Sequence, residues 1–156
     1  MAKITIDSEL DLIDRKIIEA LVQDGRMSIT DLSTKVGLSK TPCQIRLRRL
    51  IDEGFITGFR ATLNPRKLNL EHIAFTEVKL SDTREAALIA FNAAVRKIPE
   101  IEECHMIAGS FDYLLKVRTS NIRNYRLVLG ERISSLPHVA STSTHVVMQA
   151  VKDSGA

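Results

Sequence analysis

The sequence has no tryptophan, only two cysteines and no long apolar run, and each shortage narrows what the chain can be. Cys43 and Cys104 stand at a separation that matches no ligand spacing, so neither a disulfide framework nor a zinc site is expected. The longest unbroken apolar stretch, Ala86 to Phe91, is six residues, against the roughly 20 a helix needs to cross a bilayer. No membrane partner is expected. The first twenty residues carry five acidic side chains and no apolar centre, unlike a secretion signal, and a cytoplasmic protein is expected. There is no low-complexity segment and no phosphate-binding glycine loop, Ser/His/Asp order or metal-spaced cluster. An aromatic content of 4% does not imply disorder, because Leu, Ile and Val are plentiful and the chain is 44% hydrophobic and 26% charged. A length of 156 residues allows one ordinary domain or two small ones and excludes a large two-lobed enzyme.

What is present is patterned. The net charge is only +3, yet Lys35, Lys40, Arg46, Arg48 and Arg49 follow one another without an intervening acid, while Asp7, Glu9, Asp11 and Asp14 precede them and Asp52 and Glu53 follow. A positive stripe inside a balanced chain is the footprint of a nucleic-acid contact, although most such runs are solvated faces.

The apolar period changes near residue 65. Before it, three helical patterns occur. The first runs from about Asp11 to Gln23, capped by Asp11, with Ile13, Ile17, Ile18 and Leu21 on one face. The second opens at Ser28, where Ser28 to Asp31 reads as a capping box, buries Ile29, Leu32 and Val36, and stops at Gly37. The third starts from Ser39, takes Pro42 in its first turn, and reaches about Glu53. Phe55 to Phe59 and Arg60 to Leu63 read as a two-stranded ribbon closed by Asn64-Pro65. This is a winged helix-turn-helix layout, assigned to residues 1–64. Residues 65–156 read strand, helix, strand, strand, helix, strand, the ferredoxin-like βαββαβ sandwich, so the fold class is α+β. The strands are about Ile73–Leu80, Glu102–Ala108, Tyr113–Thr119 and Val139–Val151. The helices are Thr83 to Lys97, aligning Leu88, Phe91, Val95 and Ile98, and Asn121 to Ser135, aligning Ile122, Tyr125, Leu129 and Ile133. Ile73, Phe75 and Leu114 fall on the sheet face that helices leave bare, which predicts a second copy of the chain over that face.

In a helix-turn-helix the second helix of the pair enters the major groove. On the third helix Cys43, Leu47, Leu50 and Ile51 fall inward, leaving Thr41, Ile45, Arg48 and Arg49 outward, flanked by Gln44 and Arg46. Arg pairs bidentately with guanine, Gln with adenine, and an aliphatic carbon touches the thymine methyl. Ser39 and Lys40 at the helix start suit phosphates, and Arg60 is placed for a wing contact. Taken singly, each is an ordinary exposed residue; the set obeys one helical phase. Cys43 reads as packing.

Thr41-Pro42-Cys43, Arg46, Arg49-Leu50, Gly54-Phe55-Ile56 and Leu63-Asn64-Pro65 resemble the first half of the leucine-responsive/asparagine-regulator (Lrp/AsnC) family of bacterial transcription factors. Gly109 to Tyr113 resembles that family's turn between the second and third strands, so the resemblance spans roughly residues 8 to 152. It implies a nucleoid-associated, sequence-specific regulator of amino-acid metabolism, not an enzyme, without a cofactor. It further implies an amino acid bound between subunits, and dimers assembled into rings such as octamers. The C-terminal half looks most like members governing catabolism of proline or branched-chain amino acids. For the effector, Gly109 offers close approach and a positive φ, Asp112 is placed to accept from an ammonium group, and Met106, Tyr113, Thr142 and Thr144 are candidates to line the pocket. The plain alternative is a hairpin connection. The competing enzyme reading rests on His72, His105, His138 and His145, because relatives on this two-domain frame decarboxylate a haem precursor using histidine. An architectural DNA-compacting protein without an effector is the third reading.

Overall fold

The computed structural model describes residues 10–152, and the chain separates into two compact units, Met1–Ala61 and Thr62–Ala156. The division falls three residues before the one read from Asn64-Pro65. Each unit closes its own apolar core.

The first unit holds α1 (Leu12–Gln23), α2 (Ile29–Val36) and α3 (Lys40–Asp52). Asp11 accepts the Asp14 N–H at 2.8 Å while the Asp14 carboxylate accepts the Asp11 N–H at 3.3 Å, a closed capping box on α1. Ser28 accepts the Asp31 N–H at 3.1 Å, but the Asp31 carboxylate takes the Ser28 hydroxyl proton at 2.6 Å, so that box is only half formed on the backbone. Gly37 ends α2 at φ 79°, where a side chain would be strained. Ile17, Leu21, Leu32, Val36, Cys43 and Leu50 close the core. Ile51, expected inward, is 42% exposed, because it lies about 80° around the helix from Cys43. The two-stranded ribbon does not form: Phe55 to Leu63 carries no strand, and one backbone bond, from Ile56 N–H to the Leu50 carbonyl at 3.0 Å, ties its start to α3. Once a turn is taken from nine residues, the remaining strands are too short for a hairpin that stands alone.

The second unit runs β1 (His72–Leu80), α4 (Glu85–Val95), β2 (Ile101–Met106), β3 (Tyr113–Thr119), α5 (Ile122–Val128) and β4 (Val139–Val146). The sheet order is β2-β3-β1-β4 with every pairing antiparallel, as the ferredoxin-like pattern requires. Ala74, Val78, Leu115 and Val117 pack against Phe91, Val95, Tyr125 and Ile133. The second helix is not uniform: α5 widens into a π-helical turn at Leu129–Ile133, with Ser134 N–H donating to the Leu129 carbonyl at 2.8 Å. The extra residue per turn keeps Ile133 in the core, while Ile122, expected to align inward, is exposed. β4 ends at Val146 and not at Val151, because β1 starts at His72 and the last bond available is Val147 N–H to the Ile73 carbonyl. On the face away from the helices, half-buried Phe75 and Leu114 sit among charges, including Glu77 with His145 at 3.2 Å and Lys116 with Glu102 and Glu103, each at 3.3 Å.

His72 carries a pH prediction for this unit. Its Nδ1 lies 3.0 Å from the Thr119 hydroxyl, which itself donates to the Asn121 carbonyl at 3.2 Å, so Nδ1 holds the proton and donates. Nε2 is buried without a partner, and burial pushes the imidazole below its ordinary 6.5. The folded state therefore binds fewer protons than the unfolded state. Its stabilisation is complete above about pH 6.5 and is lost as pH falls through the folded value. The urea midpoint of the second unit is expected to fall between about pH 7 and pH 5, and to fall less in His72→Gln. An equal fall in that variant removes His72 as the cause.

Candidate nucleic-acid interface and effector site

The candidate recognition face is built on α3. Ser39 is its N-cap, yet its hydroxyl makes no capping bond and stays exposed beside Lys40. Thr41, Gln44, Ile45 and Arg48 are all exposed, with Ile45 at 65%. The Arg48 side chain is 84% exposed, with Asp52 at 3.8 Å as its loose i,i+4 partner. Thr41, Ile45 and Arg48 fall within about 60° of one another around the helix, so a thin strip of hydroxyl, aliphatic and guanidinium chemistry runs along one side.

Two of the expected DNA contacts are not on that strip. Arg46 Nη1 donates to Asp11 at 2.5 Å and Asp14 at 2.9 Å, and Arg49 Nη2 donates to Asp14 at 2.5 Å. Both lie on the side of α3 that meets the start of α1, and Asp14, 1% exposed, draws them there because a buried carboxylate needs charged partners. The carboxyl of Asp11 is held at about 2 by the Asp14 N–H and by Arg46, and the Arg46 guanidinium is pushed up by Asp11 and Asp14. Sequence reasoning grouped Asp14 with the flanking acids. The signal that it is different was its spacing: Asp14, Ile17 and Leu21 share one helical face. Arg60 is exposed in the unpaired segment and not on a wing strand. Cys43 is fully buried, and burial pushes its thiol up, in keeping with packing.

The expected effector residues are dispersed within one chain. The turn between β2 and β3 is closed by Ile107 N–H to the Asp112 carbonyl at 2.8 Å and Asp112 N–H to the Val78 carbonyl at 2.9 Å. Gly109 does not take the positive φ expected of it, and a Cβ there would meet only Ile107 at 3.6 Å. The Asp112 carboxylate accepts the Leu80 N–H at 2.7 Å and faces Lys79 at 3.4 Å, stitching the turn to the bulge in β1. Met106 and Tyr113 meet at a cleft of about 520 Å³ beside Asn92, Arg96 and Cys104. Tyr113 belongs mainly to the core, its ring 4.4 Å from that of Phe91. Thr142 and Thr144 are on the opposite edge strand, with β3 and β1 between, and the Thr144 hydroxyl is bonded to Tyr125 at 2.6 Å.

His105 and His145 do share the bare sheet face, but on the two edge strands, each beside its own glutamate at 3.2 Å. His138 sits in a turn at φ 64° and His72 faces Tyr125, so the four make no common site. Among the described residues no cluster of three metal-ligating side chains occurs, and no helix is long and apolar enough to cross a membrane.

Comparison with known proteins agrees with this two-part plan. Residues 10–57 match a winged helix-turn-helix DNA-binding family, and residues 73–156 match the Lrp/AsnC ligand binding domain. The chain is 72% identical over 147 residues, 94% of each protein, to a proline dehydrogenase transcriptional activator of Rhizobium radiobacter. It is 49% identical to the leucine-responsive regulatory protein of Salmonella typhimurium, covering 94% of this chain and 89% of that one. Among solved structures, a transcriptional regulator of Neisseria meningitidis in complex with L-methionine superposes with a TM-score of 0.86 at 32% identity, over 92% of this chain and 93% of that one. An AsnC family regulator of Agrobacterium tumefaciens gives 0.87 at 30% identity, over 92% and 94%. With a helix-turn-helix module, the family's own ligand-binding domain and end-to-end similarity to such regulators, the chain belongs to the Lrp/AsnC family of DNA-binding transcriptional regulators.

Proposed function

We propose that this protein is an amino-acid-responsive regulator of a proline-oxidation gene, reading DNA with Ser39, Lys40, Thr41, Gln44, Ile45 and Arg48, with proline as the first effector to test. The observation that carries the DNA half is the outward strip of α3, whose residues are exposed while the opposite face of the helix is core. The choice of proline rests on the similarity to the Rhizobium radiobacter activator. The protein acts as a dimer formed over the face that carries Phe75 and Leu114, and dimers gather into rings, up to octamers. Two recognition helices then meet a near-palindromic site about one helical turn apart, and the ring lets several weak contacts act together. The effector lies between subunits at the Gly109–Asp112 turn. Its dispersed lining supports this, because Met106 and Thr142 occupy opposite edges of one sheet and a small molecule meets both only where copies adjoin. The effector shifts DNA affinity only by its differential affinity for the two assemblies. The protein uses no cofactor, is no enzyme, and works in the cytoplasm on the nucleoid.

Fluorescence anisotropy with the protein's own upstream DNA and a scrambled duplex, at two salt concentrations and with or without proline or an amino-acid pool, tests this. Preferential, salt-sensitive binding that moves with proline is expected. Equal weak binding to both duplexes makes the protein architectural, and no binding at low salt sinks the DNA reading. In the same assay Gly109→Val is expected to retain DNA affinity, since the added carbons meet little within the chain, and to blunt the effector response. An unchanged response removes the turn from the site.

A further inference from the structure

The start of α1 is built around one carboxylate that the DNA reading leaves unexplained. Asp14 sits in the first turn of α1, 1% exposed, on the same face as the core residue Ile17. Its two oxygens receive the Asp11 N–H, Arg46 Nη1 and Arg49 Nη2. Asp11, which caps the same helix, takes a second contact from Arg46. Glu53 adds a more distant acid 3.9 Å from Arg49 Nε. Two of the three guanidiniums of α3 are thus tied to the N-terminus of α1, while their side chains remain 32% and 41% exposed on the flank of the helix that reads DNA. Among the described residues, the carboxylate beside Arg48 is the more distant Asp52.

The arrangement has two physical consequences. Tying α3 through two side chains one turn apart fixes its rotation about its own axis, and that rotation decides whether Thr41, Ile45 and Arg48 point outward together. Each guanidinium held by a carboxylate is also one fewer cation for the phosphate backbone, and phosphate contacts carry affinity without sequence information. We propose that Asp14 is a positioning residue that sets DNA specificity: it aims the recognition strip and withholds Arg46 and Arg49 from phosphate, so that random DNA is held weakly and base contacts decide the site. This rests on α3 being the reading helix.

The test uses the full chain and fluorescence anisotropy on the upstream and scrambled duplexes over a series of NaCl concentrations. Asp14→Asn keeps the shape and one acceptor but removes the charge. The expected result is that binding to scrambled DNA tightens at low salt, and that its log–log salt slope steepens by roughly 1 to 2, the increment for one or two new phosphate contacts. The preference for the upstream duplex is expected to fall by about tenfold, the loss that one misaligned base contact brings. A parallel loss on both duplexes with an unchanged slope overturns the proposal, as does an unchanged preference. Should Asp14→Asn fail to fold by circular dichroism, Arg49→Gln decides. It leaves Asp14 held by the Asp11 N–H and Arg46 and brings no charge to phosphate, so the salt slope is expected to stay at the wild-type value. A slope shallower by about 1 shows that Arg49 touches phosphate in the complex and overturns the proposal. Arg48→Ala in the same series keeps the two readings apart: if it leaves upstream binding untouched, α3 is not the reading helix and the failure lies there.

Discussion

Replacing Arg48 with alanine is expected to weaken binding to the specific site by about 1–3 kcal/mol, or roughly five- to 150-fold. Arg48 stands out among the three arginines of α3 because its side chain is 84% exposed and its nearest carboxylate, Asp52, is 3.8 Å away and itself on the surface. An exposed i,i+4 pair contributes a few tenths of a kcal/mol at most, so releasing the guanidinium to a guanine edge meets little resistance. It also lies within about 20° of Thr41 and 60° of Ile45 around the helix, on the strip where a base edge would be approached. Competition anisotropy with upstream and scrambled duplexes reads the result. A loss confined to the upstream duplex makes Arg48 a base reader, and an equal loss on both makes it a phosphate contact and shifts base readout to Gln44 and Ile45.

The largest expected effect on stability comes from Phe91→Ala, at about 3–5 kcal/mol. Phe91 is fully buried at the centre of the second core, against the Tyr113 ring and under Val78 and Leu115. A unit of this size is stable by about 5–15 kcal/mol, so the variant loses a large part of it. The readout is unusually clean. The chain has two tyrosines and no tryptophan, and both, Tyr113 and Tyr125, are core residues of the second unit. Tyrosine emission therefore follows that unit alone, while far-ultraviolet circular dichroism follows the helices of both. The tyrosine transition is expected at lower urea, with the transition of the first unit unmoved, because the two cores share no residue. Both transitions moving together would show that the units fold as one.

Helix starts and stops were legible because their causes are local. Asp11, Ser28 and Gly37 act within one turn of where they stand, so spacing alone places them. The order of strands and helices in the second unit was legible for a related reason. Alternation and 3.6-residue periodicity report which side of an element is covered, and a proline, Pro99 or Pro137, follows the end of each helix. The ribbon after Gly54 failed because an apolar, β-prone stretch specifies only that a segment is extended. Pairing needs a partner at the right distance, and nine residues supply none. The π-helical turn at Leu129–Ile133 was not legible either, since one extra residue per turn is set by which side chain the core accepts.

The candidate site divides along the same line. Composition, the basic stripe and the phase of α3 pointed to DNA and placed Thr41, Ile45 and Arg48 together, because a helix fixes the angles among its own residues. Only the tertiary structure showed what Arg46 and Arg49 touch, because Asp11 and Asp14 lie more than thirty positions away. It likewise turned Asp112 from a free acceptor into a brace for β1 and sent Met106 and Thr142 to opposite edges of a sheet whose order, β2-β3-β1-β4, is not the order of the chain. A sequence states which chemistry a chain carries and on which side of each element. Which of those groups are already engaged depends on distances between elements, and folding sets those.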